Sequence, residues 1–500
     1  MTRPLLLALF AVTTFLAPGF LEATQDEKEK KDDFKEKTAR HKEDVVRLRG
    51  LEFKTDVTVG AYSKKELLDF LKAEFEKDLP REKADKYQRG YAKFGLIPQD
   101  LDIYEAYLEL FGSSIAGFYH PKTKELRLIK PGEGKDGGEE EALKAMGIDM
   151  ERITLVHELT HAAQDQNFEL STLPIEDETN DDLVMAIKSV IEGDASAVGW
   201  KYQFKDQFEM VIGSINTTYK SGMLPGAAGK LPAYLRQSLT FPYGWGTDFV
   251  VKYLKGTKGE FKDINKLFKD FPLSSEQILH PEKYYGENRD NPILVTLPDL
   301  NKLFGAPWKE SFNNVHGEFA TKLLLREFKS DKLRLNKIDA AAAGWGGDRY
   351  VVLEDDKKVA MYVWYTTWDT EKDAREFYEA YCLALEKKYE QEFKDADRGD
   401  KTTFGTPSGQ VYVEIKNKDV LILDGATNGM LDKVGAIWKD TKKAEMTGVE
   451  RLKKFVCEKD GVKEAFSGKC PKCGKDLQFK DDEKAPPGKK KHEYQVENDK

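Results

Sequence analysis

The chain has 500 residues, with 79 Lys and Arg against 88 Asp and Glu, giving a formal net charge of −9. Hydrophobic residues make up 40% of it and aromatic residues 11%, enough to bury a sizeable core, and the length suits roughly two to four domains. The dispersed acidic excess excludes nucleic acid as the main partner, and the 4 cysteines are too few for a disulfide scaffold.

Arg3 begins a short positive segment, Leu5 to Leu16 form an apolar run, and small residues lead to Ala23 before charge sets in. This is the pattern of a secretory signal peptide over residues 1–23, with an uncleaved anchor helix as the alternative. No later stretch is apolar enough to span a bilayer, so no stable membrane span is expected after cleavage. The mature chain is expected to be secreted or periplasmic.

Residues 24–62 form a charged lead-in, read as a solvated helix or a disordered segment. The stretch SKKELLDFLKAEFEKDL has helical periodicity from an N-cap at Ser63, and PQDLDIYEAYLELFG predicts a helix closed by Gly112. In IAGFYHPKTKELRLI, two β-rich runs flank a turn and predict a hairpin over residues 115–129, followed by a glycine-rich loop. A helix capped by Asp149 follows, then a second apolar helix over residues 181–200. Residues 201–330 read as mainly helical, with Gly/Pro breaks near 221–232 and 242–247. The pattern changes near residues 331–345. A small α+β domain of β-β-α-β-β order is expected over 331–450, a cysteine knuckle over 455–480 and a charged, disordered tail over 481–500.

The helix after Asp149 carries His157-Glu158-Leu159-Thr160-His161. Residues four apart share a helix face, so both imidazoles reach one metal ion. Glu158 lies about 100° around the helix, close enough to take a proton from a water that the metal activates. A catalytic zinc takes three protein ligands. Glu192, in the apolar stretch SVIEGDASAV, is the candidate third ligand, because a lone carboxylate there is costly. Asp194 is the competing ligand, or the partner that orients an imidazole.

HELTHAAQDQ, the later EGDA, SSEQILHPEKY and GWGGDRY together resemble a family of bacterial HExxH metallopeptidases, over roughly residues 100–425. Its usual active helix reads HELTHALQDQ. The resemblance is to the gluzincins, and it implies His157, His161 and Glu192 as zinc ligands with Glu158 as general base. It also implies an α+β, mainly helical zincin-like domain over residues 63–330, a peptide or protein substrate, and a hairpin edge strand that pairs with the substrate backbone. Non-peptide amide or ester hydrolysis and non-catalytic metal binding are the alternatives. Gluzincins supply a later His or Tyr to the oxyanion, for which His280, Tyr243 and Tyr284 are candidates, with Tyr285 beside them. His120 reads as a turn residue, His316 as structural, and the glycines around Trp345 as packing devices.

Near the C-terminus, Cys457, Cys470 and Cys473 have the spacing C-x12-C-x2-C, a knuckle able to hold a second zinc. Asp460, His492 or water is the candidate fourth ligand, and a disulfide is the alternative. The stretch resembles a small heavy-metal-binding module, but Lys459, Asp460 and Lys475 replace its Met, His and Met, which removes the donors that suit copper. Cys382 reads as a core thiol.

Overall fold

The computed structural model describes residues 27–480, apart from 115–116, 122, 130–146, 224–228, 288, 393–398 and 466–467, and also residues 495–496. The expected signal peptide, the loop after the hairpin, His492 and nearly all of the expected tail lie outside the described residues. The fold is α+β with several sheets.

The helices and strands of the N-terminal half are α1 (Glu27–Arg49), β1 (Thr58–Tyr62), α2 (Lys64–Asp78), α3 (Arg81–Phe94), α4 (Ile103–Ser114), β2 (Gly117–His120) and β3 (Glu125–Ile129). Next come α5 (Met150–Phe168), α6 (Asp181–Phe204), α7 (Phe208–Lys220), α8 (Ala233–Thr257), α9 (Ser275–Leu279) and α10 (Glu282–Tyr285). Local chemistry sets the helix starts. Ser63 and Glu66 form a capping box on α2, Asp149 accepts the Arg152 N–H at the start of α5, and Asn180 caps α6. The expected hairpin is present as β2 and β3, with the first strand, β1, added parallel to β3.

The second half contains β4 (Ile293–Thr296), α11 (Leu300–Phe304), β5 (Lys309–Asn314), α12 (Gly317–Glu327), α13 (Leu335–Ala342), β6 (Trp345–Glu354), β7 (Ala360–Trp368) and α14 (Glu371–Tyr389). It continues with β8 (Lys401–Thr406), β9 (Gly409–Lys416), β10 (Asp419–Ala426), α15 (Asn428–Leu431), α16 (Val434–Asp440) and β11 (Lys442–Gly448). Six strands form one sheet in the order β5-β6-β7-β10-β9-β8. Side chains alternate between its faces. Tyr350, Val352, Tyr362 and Trp364 join a core shared with α2, α3 and α14, while Val351, Leu353, Met361 and Val363 pack toward α15 and α16. Burial on both faces explains the continuous apolar runs Tyr350–Leu353 in β6 and Ala360–Tyr365 in β7.

Four expectations need correction. The sheet begins at Lys309, not at residue 331, because the charged and polar strand β5 (KESFNN) is half-exposed and carries no apolar run to announce it. KTTFGT likewise forms an edge strand, so the order is β-β-α-β-β-β rather than β-β-α-β-β. Helix α4 runs past Gly112 to Ser114. Helix α8 runs unbroken through residues 242–247, and its glycines do something other than break it.

The GWGGDRY segment joins the sheet to the helical half. Asp348 accepts hydrogen bonds from the His316 and Gly317 N–H groups and from the indoles of Trp345 and Trp364. Arg349 donates to the Thr179 carbonyl, next to the cap of α6. A Cβ on Gly347 would meet the Ile293 carbonyl oxygen at 2.2 Å, so glycine there permits β4 to pack on β6.

His316 is buried, stacked on Tyr350 and edge-on to Phe94 and Trp364. Burial pushes its imidazole down to about 3. A histidine in the unfolded chain titrates near about 6.5. Between those values the unfolded chain binds a proton that the folded chain refuses, so stability falls as pH drops through that window. Urea unfolding should show the parent losing about 2 kcal/mol more than His316→Phe between pH 6.5 and 5. Parallel pH profiles for the two proteins would contradict this.

Candidate functional site

Helix α6 returns along α5 and brings His157, His161 and Glu192 together. His157 Nε2 lies 2.9 Å from His161 Nε2 and 3.2 Å from Glu192 Oε2, and His161 Nε2 lies 3.3 Å from the same oxygen. Ligand atoms bound tetrahedrally to zinc at 2.0–2.1 Å stand about 3.3 Å apart. The three atoms therefore form one face of such a tetrahedron, and the residues present fit a metal ion. All three side chains are buried.

The charges follow from that crowding. Burial, helped by the neighbouring His161, pushes the His157 imidazole down to about 4. Burial also acts against charge on His161, but Glu192 outweighs it and raises the group to about 9. Glu192 is held at about 2 against its own burial by the two imidazoles. With no metal bound, one proton on His161 neutralises the Glu192 carboxylate. A divalent cation takes over that compensation and releases the proton.

Glu158, one position on from His157, leaves the helix about 100° around from it, and its charge still acts on His161 and Tyr243. It is fully buried, and its Oε2 accepts the Tyr119 backbone N–H at 2.8 Å. Tyr119 lies on β2, an end strand of its three-stranded sheet. Asp165 fastens that strand to α5 by accepting from the Tyr119 hydroxyl at 2.8 Å and from Lys124 Nζ at 2.6 Å.

Asp194 is not a ligand in this arrangement. It accepts from Gln164 Nε2 at 2.8 Å, and Gln164 Oε1 lies 2.9 Å from His161 Nδ1. Nδ1–H donates to that amide oxygen, so the proton that a bound cation would displace is the one on Nε2. Behind Asp194 stands Arg49, whose Nε lies 2.7 Å away with both side chains fully buried. The charged lead-in thus forms helix α1, and its last residue is part of the site.

Among the three candidate oxyanion donors, the structure brings only Tyr243 to the cluster. Its ring stacks on His157 at 6.3 Å, and Glu192 is near enough for its charge to act on the hydroxyl. Burial first, then the charges of Glu192 and Glu158, raise this phenol well above its ordinary range, so it remains a donor. Two glycines make the approach possible. A Cβ on Gly246 of α8 would meet the Ser189 carbonyl oxygen at 2.3 Å, and one on Gly193 of α6 would meet Gly246 carbonyl atoms at 2.4 Å. Gly246 of FPYGWG is thus the contact between α8 and α6, while Gly244 lies against Tyr219 and Lys220 of α7.

The other candidates sit elsewhere. His280 Nε2 pairs with Glu318 at 2.9 Å, and the Tyr284 hydroxyl donates to the Asp270 carbonyl. Tyr285 packs on Tyr253, and His120 accepts the Thr123 N–H in the hairpin turn. Cys382 is a buried core thiol.

Sequence reasoning missed Gln164, Arg49, Tyr119 and Lys188. Gln164 lies one turn after His161 on the same face, a spacing that could have pointed to it. Lys188 lies one turn before Glu192 and is buried; burial lowers its ammonium to about 7 against the opposing pull of Glu192, Asp78 and other carboxylates. A second candidate metal-binding group, Cys457, Asp460, Cys470 and Cys473, lies near the C-terminus.

Residues 304–435 match the family model described as a Domain of unknown function (DUF8575), which covers the six-stranded sheet and none of the His157 cluster. No curated protein and no solved structure matches the chain.

Gln164→Leu removes the acceptor for His161 Nδ1–H and should weaken zinc binding about 10- to 100-fold in a chelator competition. Gly246→Ala should lower the melting temperature, although alanine is the better helix former by about 1 kcal/mol. An unchanged or raised melting temperature would show that α6 and α8 do not depend on that contact.

Proposed function

We propose that this chain is an exported zinc-dependent metallopeptidase of the gluzincin type, with a zincin-like catalytic unit. His157, His161 and Glu192 would hold the ion. The observation that carries the reading is the ligand triangle with a buried, non-ligating carboxylate, Glu158, on the adjacent helix position. A purely structural site has no need of that carboxylate.

Zinc bound there supplies Lewis acidity to a substrate carbonyl and lowers the pKa of water. Glu158 takes the proton of the attacking water and delivers it to the leaving nitrogen. The Tyr119 N–H holds one of its oxygens, which fixes the direction of the other. Tyr243 donates its hydroxyl to the carbonyl oxygen as negative charge builds there. The end strand β2 offers an edge on which an extended peptide can pair. Gln164 and Asp194 keep His161 in the tautomer with Nε2 unprotonated.

One observation favours a second reading. Glu158 is 0% exposed and the three ligating residues are no more than 4% exposed, so a peptide reaches them only after the site opens. A metal centre that holds α5 and α6 together without turnover has the same closed geometry.

Zinc-loaded protein assayed on a peptide library separates the two readings. Under the peptidase reading, Glu158→Gln keeps its zinc and loses at least about 100-fold in kcat. Tyr243→Phe loses about 100- to 1,000-fold in kcat with little change in KM. If the zinc-loaded parent cleaves nothing, while chelation lowers the melting temperature of parent and Glu158→Gln alike, the metal is structural.

A further inference from the structure

Two short turns near the C-terminus repeat each other. One reads Cys457-Glu458-Lys459-Asp460-Gly461 and the other Cys470-Pro471-Lys472-Cys473-Gly474. In each, the first cysteine donates its N–H to a carbonyl five residues on, Cys457 to Val462 at 2.8 Å and Cys470 to Lys475 at 2.7 Å. In each, the glycine N–H returns to that cysteine's carbonyl, at 2.8 and 2.9 Å. Both glycines have left-handed backbones, with φ of +65° and +71°. Asp460 therefore occupies in the first turn the place that Cys473 occupies in the second. This equivalence, rather than the C-x12-C-x2-C spacing, identifies the fourth ligand.

The side-chain atoms agree. Cys457 Sγ lies 3.6 Å from Cys473 Sγ and 3.6 Å from Asp460 Oδ2, and Cys470 Sγ lies 3.6 Å from the same oxygen. All four ligand atoms are within 4.8 Å of one another. Around a tetrahedral zinc with 2.3 Å bonds to sulfur and about 2.0 Å to oxygen, neighbouring sulfurs stand about 3.8 Å apart and sulfur and oxygen about 3.5 Å. The Asp460 N–H also points at Cys457 Sγ at 3.4 Å.

The surrounding unit cannot hold itself together by burial. Its strands are β12 (Phe455–Val456), β13 (Lys463–Glu464) and β14 (Gln478–Phe479), two residues each. Its buried cluster is Phe455, Cys457, Cys470 and Leu477, so half of that core is cysteine. Units this small need a cross-link or a metal to fold.

We propose that Cys457, Asp460, Cys470 and Cys473 form a closed tetrahedral zinc site that folds the C-terminal ribbon, independently of the His157 centre. Four protein ligands leave no open position, so the site is structural. One hard oxygen among the thiolates favours zinc over copper(I). The segment entering the ribbon is tied to the end of α5: Arg451 donates to the Phe168 and Phe268 carbonyls at 2.6 and 3.0 Å, and the Leu452 N–H donates to the Thr172 carbonyl at 2.6 Å.

Metal analysis and cobalt(II) substitution of the full chain test this. The His157→Ala/His161→Ala variant should retain one equivalent of zinc, and its cobalt form should show sulfur-to-cobalt charge transfer with intense tetrahedral d–d bands. Adding Cys470→Ser should abolish both signals. Asp460→Ala should weaken zinc by more than the about 100-fold that loss of an outer partner costs, and Asp460→Cys should restore it. The site is overturned if the double histidine variant holds no zinc, if its cobalt spectrum lacks the sulfur band, or if Asp460→Ala binds zinc as the parent does. Because the readout uses protein without the His157 centre, failure of the peptidase reading leaves it intact.

Discussion

Arg49 and Asp194 make a hydrogen-bonded ion pair with both side chains fully buried, and the geometry of the His157 cluster rests on it. Such a pair adds little net stability, because desolvating both charges offsets their attraction. Its effect is on arrangement. Asp194 can stand behind His161 as a charged acceptor only while Arg49 neutralises it. Gln164 then bridges Asp194 to the imidazole and sets which nitrogen is bare. Removing Arg49 would leave a buried carboxylate uncompensated, at a cost of about 3–5 kcal/mol. The first described helix, polar along nearly all its length, is therefore tied into the centre of the molecule by its last residue.

The same reasoning extends to the neighbouring acids. Glu158, Asp165, Glu192 and Asp194 are all buried within two helices, an arrangement that fails without partners. Each has one of a different kind: a backbone N–H for Glu158, a lysine and a phenol for Asp165, imidazoles for Glu192 and a guanidinium for Asp194. Of the four, Glu192 is the one whose partners are imidazoles, and with them it forms a candidate metal-binding group.

The His-Glu-x-x-His helix, its Asp149 cap and the returning Glu192 helix were legible because helix periodicity fixes which side chains share a face. So was the hairpin, which needs only two short β-rich runs and a turn. Tertiary contacts between distant segments were not legible. Arg49 lies 145 residues from Asp194 and is indistinguishable in sequence from its charged neighbours. Strands β5 and β8 were missed because sheet edges are polar and lack an apolar run. The glycines near residues 242–247 were read as helix breakers. In α8 they are what lets two helix backbones nearly touch.

That misreading bears on how the centre is built. A glycine in a helix interior costs about 1 kcal/mol relative to alanine, so Gly193 and Gly246 weaken their own helices. The return is distance: without side chains between them, α6 and α8 approach until the Tyr243 ring stacks on His157. A bulkier pair would hold the phenol away from that imidazole. The C-terminal ribbon solves a similar problem by a different route. It has too little apolar surface to bring four ligands together by packing, so two repeated turns, each with a left-handed glycine, aim the ligands at one point. In the His157 cluster packed helices bring the candidate ligands together, whereas in the ribbon backbone turns do so.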